Sequence, residues 1–376
     1  MMKPVIPSIL NSGNPVEFDC DWGRVARLIV HESLKTQPGE KVIIHADPTY
    51  FPALTEQVRI ELVEAGAVEL AVSMVNSGGL EAVRRSHRRR EDPALIDMED
   101  RAMASVFDLA DIYIWLPGFW QINPGQTEKI LKTWPGRSIH FHWVIDPNDP
   151  VEFSLLSKMY EQALFIDYES LDSRQQELIA TLRTTSVQIT NPAGSDLTFE
   201  LKDAHFHRGN GQASKEFISS HARDGSARDR EVELPAGAIR TVDITNTQGR
   251  LVCSDETFFG RQVGTLTYTF SDGRITSVES QHHSDYVQAV WGIQSGDNDR
   301  IGEFNLGVSP ALTLLPDYPK TVPYFGYGDG VVRISLGDNQ ESGGDVISSY
   351  HHWLFLTDAT VKAGGVTLVE HGSLTG

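Results

Sequence analysis

Three parts of this chain combine residue types that can do chemistry. The last quarter carries Glu303 within Ile301-Gly302-Glu303-Phe304-Asn305-Leu306-Gly307, and Arg333 within Gly330-Val331-Val332-Arg333-Ile334-Ser335-Leu336-Gly337-Asp338-Asn339; His351-His352-Trp353 follows. A carboxylate and an imidazole can each move a proton or hold an ion. A planar guanidinium fork matches a carboxylate or another anionic oxygen. The other two parts are the His-x-His pairs His140-Phe141-His142 and His205-Phe206-His207. Residues two apart on a strand share a face, so each pair can turn two imidazoles toward one ion. His205 and His207 also precede Arg208-Gly209-Asn210-Gly211, a flexible loop suited to border an active site. Adjacent strand residues face opposite ways, so His351 and His352 serve one site only where the backbone is irregular. On a regular strand His352 packs or hydrogen-bonds on the other side.

The elements that must position these residues change character along the chain. The first part alternates short apolar strands, Lys41-Val42-Ile43-Ile44-His45, Val68 to Val75, Ile112 to Leu116 and Ser138 to Val144, with helical stretches over Ala53 to Ala65, Asp92 to Ala110 and Thr127 to Thr133. Alternation of this kind predicts a Rossmann-like parallel sheet covered by helices. His45-Ala46-Asp47-Pro48 stands where a glycine-rich phosphate loop would follow the first strand, which argues against a nucleotide site. A helix near Leu171 to Leu182 closes this part. From Val187 onward, β-branched runs are punctuated by turn signals such as Asn191-Pro192-Ala193-Gly194 and Ser271-Asp272-Gly273. Those signals predict an α+β domain of mainly antiparallel strands, with one helix near Asp285 to Gln294. The expected domains are residues 1–185 and 186–376.

Composition bounds the function. The 51 acidic and 32 basic residues give a formal charge of -19, which makes nucleic acid a poor partner. No apolar run is long enough to cross a bilayer, and no secretory leader opens the chain, so a cytoplasmic enzyme is expected. Cys20 and Cys253 stand far apart, outside metal or redox spacing, and are expected to be inert thiols. The basic cluster Arg84 to Arg90 reads as a solvated helix end or loop, or as an anchor or gate for an anion. Trp115, Phe119 and Trp120 end a parallel strand, where sheets of this kind bind ligands. Tyr324, Phe325 and Tyr327 precede the Gly328 to Gly330 loop. Either group can cover a planar molecule or serve as packing.

Five segments in order, over roughly residues 185 to 375, resemble one enzyme group. Gly194-Ser195-Asp196-Leu197, Leu234-Pro235-Ala236-Gly237-Ala238, the Glu303 segment, the Gly330 to Asn339 block and His351-His352-Trp353 are similar to motifs of aminopeptidase T-like metalloaminopeptidases and of 2,5-dihydroxypyridine dioxygenases. In the aminopeptidases the resemblance implies a two-metal site. Its ligand positions here read Ala238, Glu303, Arg333, no clear Tyr, His351 and Trp353. A two-metal hydrolase needs carboxylates to bridge its ions, and Ala and Trp ligate nothing, so an ordinary peptidase of this group is not expected.

The dioxygenase branch implies less: one Fe(II) held by two His and a carboxylate with open positions. Glu303 and His351 would remain as metal ligands and Trp353 would replace the third, with His352, Asp358, His282, His283, His205 and His207 as sources of compensation. Arg333 then has two readings. It anchors an acidic substrate or transition state in place of the lost cation, or it forms a buried pair with Glu303 that leaves the carboxylate unavailable to metal. The expectation is an enzyme similar to 2,5-dihydroxypyridine dioxygenase, a homodimer acting on a small aromatic or acidic substrate, with Fe(II) or no cofactor. A metal-independent hydrolase or lyase using Glu303, His351 and Arg333, with His352, His205 and His207 as further catalytic candidates, is the alternative. A non-catalytic ligand-binding homologue is the third.

Overall fold

The structure is a computed structural model that describes residues 16–74, 93–118, 127–141, 143, 145, 149–183, 186–223, 226–318 and 321–375. His142, Phe119, Trp120 and the Arg84 to Arg90 cluster lie outside the described residues. The chain divides into two compact units, Met1–Phe165 with Gly211–Ala236, and Ile166–Asn210 with Gly237–Gly376.

The first unit is built on five parallel strands, β1 (Lys41–Ala46), β2 (Val68–Met74), β3 (Ile112–Leu116), β4 (Arg137–Phe141) and β8 (Glu231–Leu234), in the order β2-β1-β3-β4-β8. Helices α1 (Trp22–Arg27), α2 (Pro52–Glu64), α3 (Pro93–Phe107), α4 (Thr127–Thr133) and α5 (Pro150–Leu164) accompany the first four strands. Largely apolar sequence in β1 and β3 matches their burial on both faces, as parallel strands covered by helices require, whereas β4 is equally buried with Arg137, Ser138 and His140 among its five residues. Helix starts follow local chemistry. Pro150 occupies the first turn of α5, and the Asp149 carboxylate accepts from the amides of Val151 and Glu152. Strand β8 arrives from the later part of the sequence and runs parallel to β4, pairing His140 with Glu233. The alternation in Glu231-Val232-Glu233-Leu234 marks a strand, but a strand's own pattern does not say which neighbour it will take.

The start of β4 is held by a buried ion network. Arg137 donates from Nη1 and Nη2 to the two oxygens of Glu40, at 2.8 and 2.6 Å, and to the Leu34 carbonyl. Lys215, on α7 (Lys215–His221), sits 2.6 Å from the same carboxylate. Burial by itself would raise the Glu40 carboxyl. Hydrogen bonds from Arg137, Lys215 and the Gln37 amide outweigh it and bring the group from 4.5 down to about 2.

The second unit contains α6 (Tyr168–Leu182), α8 (Ser284–Gly292) and two antiparallel sheets. The larger sheet runs β12-β11-β10-β6-β5-β16-β17-β18. Its strands are β5 (Ser186–Thr190), β6 (Asp196–Glu200), β10 (Thr245–Phe258), β11 (Arg261–Ser271), β12 (Arg274–Ser280), β16 (Thr360–Ala363), β17 (Val366–Glu370) and β18 (Ser373–Leu374). The smaller runs β15-β14-β13-β9-β7, from β15 (His351–Leu356), β14 (Val332–Gly337), β13 (Ile301–Gly307), β9 (Ala238–Thr241) and β7 (His207–Arg208). Every residue of β13 and β14 is buried. One face of these two strands is apolar, with Phe304, Leu306, Val332, Ile334 and Leu336, and the Phe304 ring lies 5.4 Å from Phe199 of β6. The opposite face is polar, although it is equally buried. The mixed α/β architecture, a parallel sheet with helices followed by antiparallel sheets, is the one the sequence predicts.

Arg137→Met should destabilise the protein by up to about 3 kcal/mol, because it takes the bidentate partner from the buried Glu40 carboxylate and leaves Lys215 to hold it. Since Glu40 has its lower pKa in the folded state, its linked stability of roughly 3 kcal/mol is complete above about pH 4.5 and is lost as the pH falls toward 2. Urea unfolding of the wild type and Glu40→Gln across that interval measures both effects. A pH slope unchanged by Glu40→Gln would refute the assignment.

Candidate functional site

The polar face of the small sheet follows from its register. Glu303 lies opposite Ser335, and Ser335 opposite Trp353. In the neighbouring row His207, Arg240, Asn305, Arg333 and Phe355 are opposed in turn across all five strands. His351 shares the face with Trp353 two residues on, as does Ala238 with Arg240. Of the five residues of this chain that the resemblance places around a metal, Glu303, Arg333, His351 and Trp353 stand on the adjacent strands β13, β14 and β15, and Ala238 stands on β9, on the same face.

The space beside His351 is taken by an ion pair. Arg333 Nη2 donates to Glu303 Oε1, and the two side chains are only 2% and 9% exposed. Ser342 donates to the other Glu303 oxygen at 2.9 Å. The Phe325 carbonyl accepts from Arg333 Nη1 at 3.1 Å, and the guanidinium carbon lies 4.4 Å from the centre of the Trp353 ring. A desolvated cation over an indole face gains about 2 kcal/mol. Trp353 in turn donates its indole N–H to His351 Nε2 at 2.8 Å. Indole nitrogen is a donor only, so His351 Nε2 is the bare nitrogen and its proton resides on Nδ1. Burial pushes the His351 imidazole below its usual 6.5, against the opposing pull of Glu303 and Glu341.

A strained loop closes over this face. Pro323–Gly326 forms a short 3-10 turn in which Tyr324 and Phe325 have φ of 42° and 56°, the left-handed region that side chains with Cβ seldom enter. Such residues cost about 1–3 kcal/mol each and concentrate at functional sites. Here they deliver the carbonyls of Phe325 and Gly326 to Arg333 and Asn305, and set the Phe325 ring 5.4 Å from Trp353. Gly307 allows the close approach, since a Cβ there would collide with the carbonyls of Gly326 and Gly328. Arg333 Nε, Ser335 Oγ and Asn305 Oδ1 remain buried without a hydrogen-bond partner, on residues at most 2% exposed. Buried polar atoms are rarely left so. The three are an N–H donor, a hydroxyl and a carbonyl acceptor.

The remaining sequence candidates stand elsewhere. His352 pairs with Leu336 and points to the opposite face. Its ring stacks on Tyr350 with centroids 6.0 Å apart, and burial, followed by the neighbouring His351, pushes it down to about 4. His207 faces the site side from β7, three strand spacings or about 14 Å from Arg333. His205 precedes that strand, and its amide donates to Asp243. Cys20 is pushed up to about 12 by burial and by Glu161, and Cys253 is raised by burial, so neither thiol ionises near neutrality. Asn305, Ser335, Arg240 and Ser342 are the site residues that motif reading passed over. The signal for Asn305 and Ser335 was polar residues at alternate positions in otherwise apolar strands, Glu303-Phe304-Asn305 and Arg333-Ile334-Ser335.

The donors here do not fit an iron ion. Both Glu303 oxygens accept hydrogen bonds, the His351 lone pair accepts another, and a permanent cation is paired with Glu303. Among the described residues, the group that could hold a metal is His140, Glu231 and Glu233, in the first unit.

No protein-family model matches the chain, and no curated protein matches it by sequence. Solved structures do. The 2,5-dihydroxypyridine dioxygenase of Pseudomonas putida KT2440 matches with a TM-score of 0.62 at 16% identity, over 94% of this chain and 96% of that one. Wild-type AmpT of Thermus thermophilus, an aminopeptidase T, matches with a TM-score of 0.64 at 15% identity, over 94% and 98%. The chain has the fold of these enzymes, in agreement with the motif resemblance.

Arg333→Met should lower stability by about 3–5 kcal/mol, because it leaves Glu303 charged and buried, and Arg333→Met with Glu303→Leu should regain most of the loss. Urea denaturation of the single and double variants measures the coupling. Equal losses in the two would show that the side chains act independently.

Proposed function

We propose that this protein is an enzyme that binds a small carboxylate-bearing aromatic or heteroaromatic molecule on the polar face of the small sheet, and acts on it without a metal, as a hydrolase or lyase. The Arg333 to Glu303 pair carries this reading: a fixed guanidinium occupies the place where the resemblance puts metal ligands. Glu303 orients the fork, while the Arg333 N–H and the Ser335 hydroxyl face the ligand. Preorganised donors of this kind stabilise charge that develops on a substrate oxygen, and do so most strongly where water is excluded. His351 adds an Nδ1–H. A neutral imidazole held in one tautomer polarises a carbonyl without surrendering its proton. Trp353 and Phe325 supply flat apolar surface beside these donors, which suits a planar ring.

Iron-dependent ring opening is the second reading. It is favoured by the likeness of fold to 2,5-dihydroxypyridine dioxygenase and by the presence of Glu303 and His351. It requires Glu303 to leave Arg333 and His351 to leave Trp353.

Two measurements separate these readings. In chelator, a panel of small aromatic carboxylates should raise the melting temperature of the wild type, and Arg333→Lys, which keeps the charge but loses the fork, should abolish the response. Stoichiometric Fe(II) uptake after anaerobic reconstitution, abolished by Glu303→Gln, would overturn the metal-independent reading. Titration of His351 by NMR should give a midpoint below 6.5. Trp353→Phe should move it upward, because the indole hydrogen bond to Nε2 favours the neutral ring. An unmoved or lower midpoint would remove the tautomer argument.

A further inference from the structure

The first unit contains a second polar constellation, independent of the reading above. Parallel strands covered on both faces are normally lined with apolar side chains. One face of this sheet instead carries His45, Tyr113, Trp115, His140, Glu231 and Glu233. The register groups them: His45 lies opposite Trp115, Trp115 opposite His140, and His140 opposite Glu233, while Tyr113, Ser138 and Glu231 form the preceding row. The row stands at the carboxyl ends of the strands, the edge where open parallel sheets bind their ligands.

Three of these side chains converge. His140, Glu231 and Glu233 each offer one ligand atom, and these atoms lie within 4.8 Å of one another. His140 Nδ1 is 3.8 Å from Glu233 Oε1, with both side chains less than 10% exposed. Trp115 stacks on the imidazole, ring centres 4.1 Å and planes 18° apart, and so fixes its plane. Arg228, from the short turn Arg228–Arg230, reaches into the same space and donates from Nη1 to Glu231 at 2.6 Å and to Glu233 at 2.9 Å.

We propose that His140, Glu231 and Glu233 form a binding site for a divalent first-row transition-metal ion, with Zn2+ and Mn2+ the best matched. One imidazole nitrogen and two carboxylate oxygens suit such ions. Three protein ligands leave positions open for water or a small molecule, the composition of a reactive site rather than a closed structural one. Arg228 is the built-in competitor. Its Nη1 spans the two oxygens that an ion would take, so loading requires the guanidinium to swing away. The donors differ from those around Arg333, where one carboxylate stands beside an imidazole whose lone pair is already used. Here two carboxylates and an imidazole meet.

The test uses the full chain, stripped with chelator and dialysed against Zn2+ or Mn2+ alone. Wild type should take up a stoichiometric ion. Glu233→Gln and His140→Gln should each weaken uptake by more than about tenfold, the loss that removing even an outer partner of a ligand can cause. Arg228→Gln should tighten it. Glu303→Gln and His351→Gln, in the other unit, should retain the ion, and circular dichroism shows whether each variant is folded. The proposal is overturned if wild type takes up no stoichiometric ion, if uptake appears in Arg228→Gln alone, or if folded His140→Gln and Glu233→Gln bind as well as wild type. Loss of the ion in Glu303→Gln or His351→Gln, with retention in His140→Gln, would move the site to the second unit and refute it equally.

Discussion

A guanidinium buried at 2% exposure dictates what surrounds it. Removing a charge from water is costly, and the interior must return the lost solvation with well-placed partners. Arg333 obtains them from four directions: the Glu303 carboxylate, the Phe325 carbonyl, the Trp353 ring and, through Glu303, the Ser342 hydroxyl. Each partner imposes a further condition. The Phe325 carbonyl reaches Arg333 only because Tyr324 and Phe325 adopt left-handed backbone, and the loop approaches only because Gly307 has no side chain. The Trp353 ring stays over the cation while its indole N–H binds His351, which fixes a tautomer at the edge of the sheet. Loop conformation, glycine placement and histidine protonation thus follow from one charged group.

Much of this was written in local sequence, and the part that was not has a physical reason. Alternation of strand and helix announced the parallel sheet, and turn signals announced the antiparallel part, because both depend on residues close in the chain. The Glu303, Arg333 and His351 segments were conspicuous through residue type. Asn305 and Ser335 were legible as polar residues alternating with apolar ones in β13 and β14, a pattern that means a polar face and not yet a site. The union of Glu303 with Arg333 had only been an alternative, because opposing them depends on the register of strands whose residues are 30 apart in sequence. The strain at Tyr324 and Phe325 left no local sign, since neither is a glycine or an asparagine. The convergence of His140 with Glu231 and Glu233 was hidden as well, because β8 joins β4 across about ninety residues of intervening chain.

The same solution recurs in the first unit with a different balance. Glu40 faces two cations, Arg137 and Lys215, and its carboxyl is held near 2. On β8, the strand next to β4, Glu231 and Glu233 are spanned by Arg228. A chain with 51 acidic and 32 basic residues has carboxylates in excess, and where they are buried, arginine is the partner that can address two oxygens at once. Arginine addresses the buried carboxylates of Glu40, Glu303 and the Glu231 and Glu233 pair, and the number of carboxylates at each one separates these sites. One carboxylate with one guanidinium is a closed pair. Two carboxylates with an imidazole form a donor set that a divalent ion can take.

Replacing a metal by a guanidinium changes what a site on this fold is able to do. A bound ion offers coordination positions, exchanges ligands and acidifies water; a guanidinium offers only N–H donors in a fixed plane and stays protonated at every working pH. Beside Arg333, the neighbouring residues serve the needs of a cation. An aspartate at position 353 would add a second negative charge, whereas Trp353 supplies a ring face for the guanidinium and an N–H for His351. Ala238 on the same face likewise adds no charge. With Trp353 and Ala238 at these positions, the polar face carries a cation of its own, held by Glu303, the Phe325 carbonyl and the Trp353 ring.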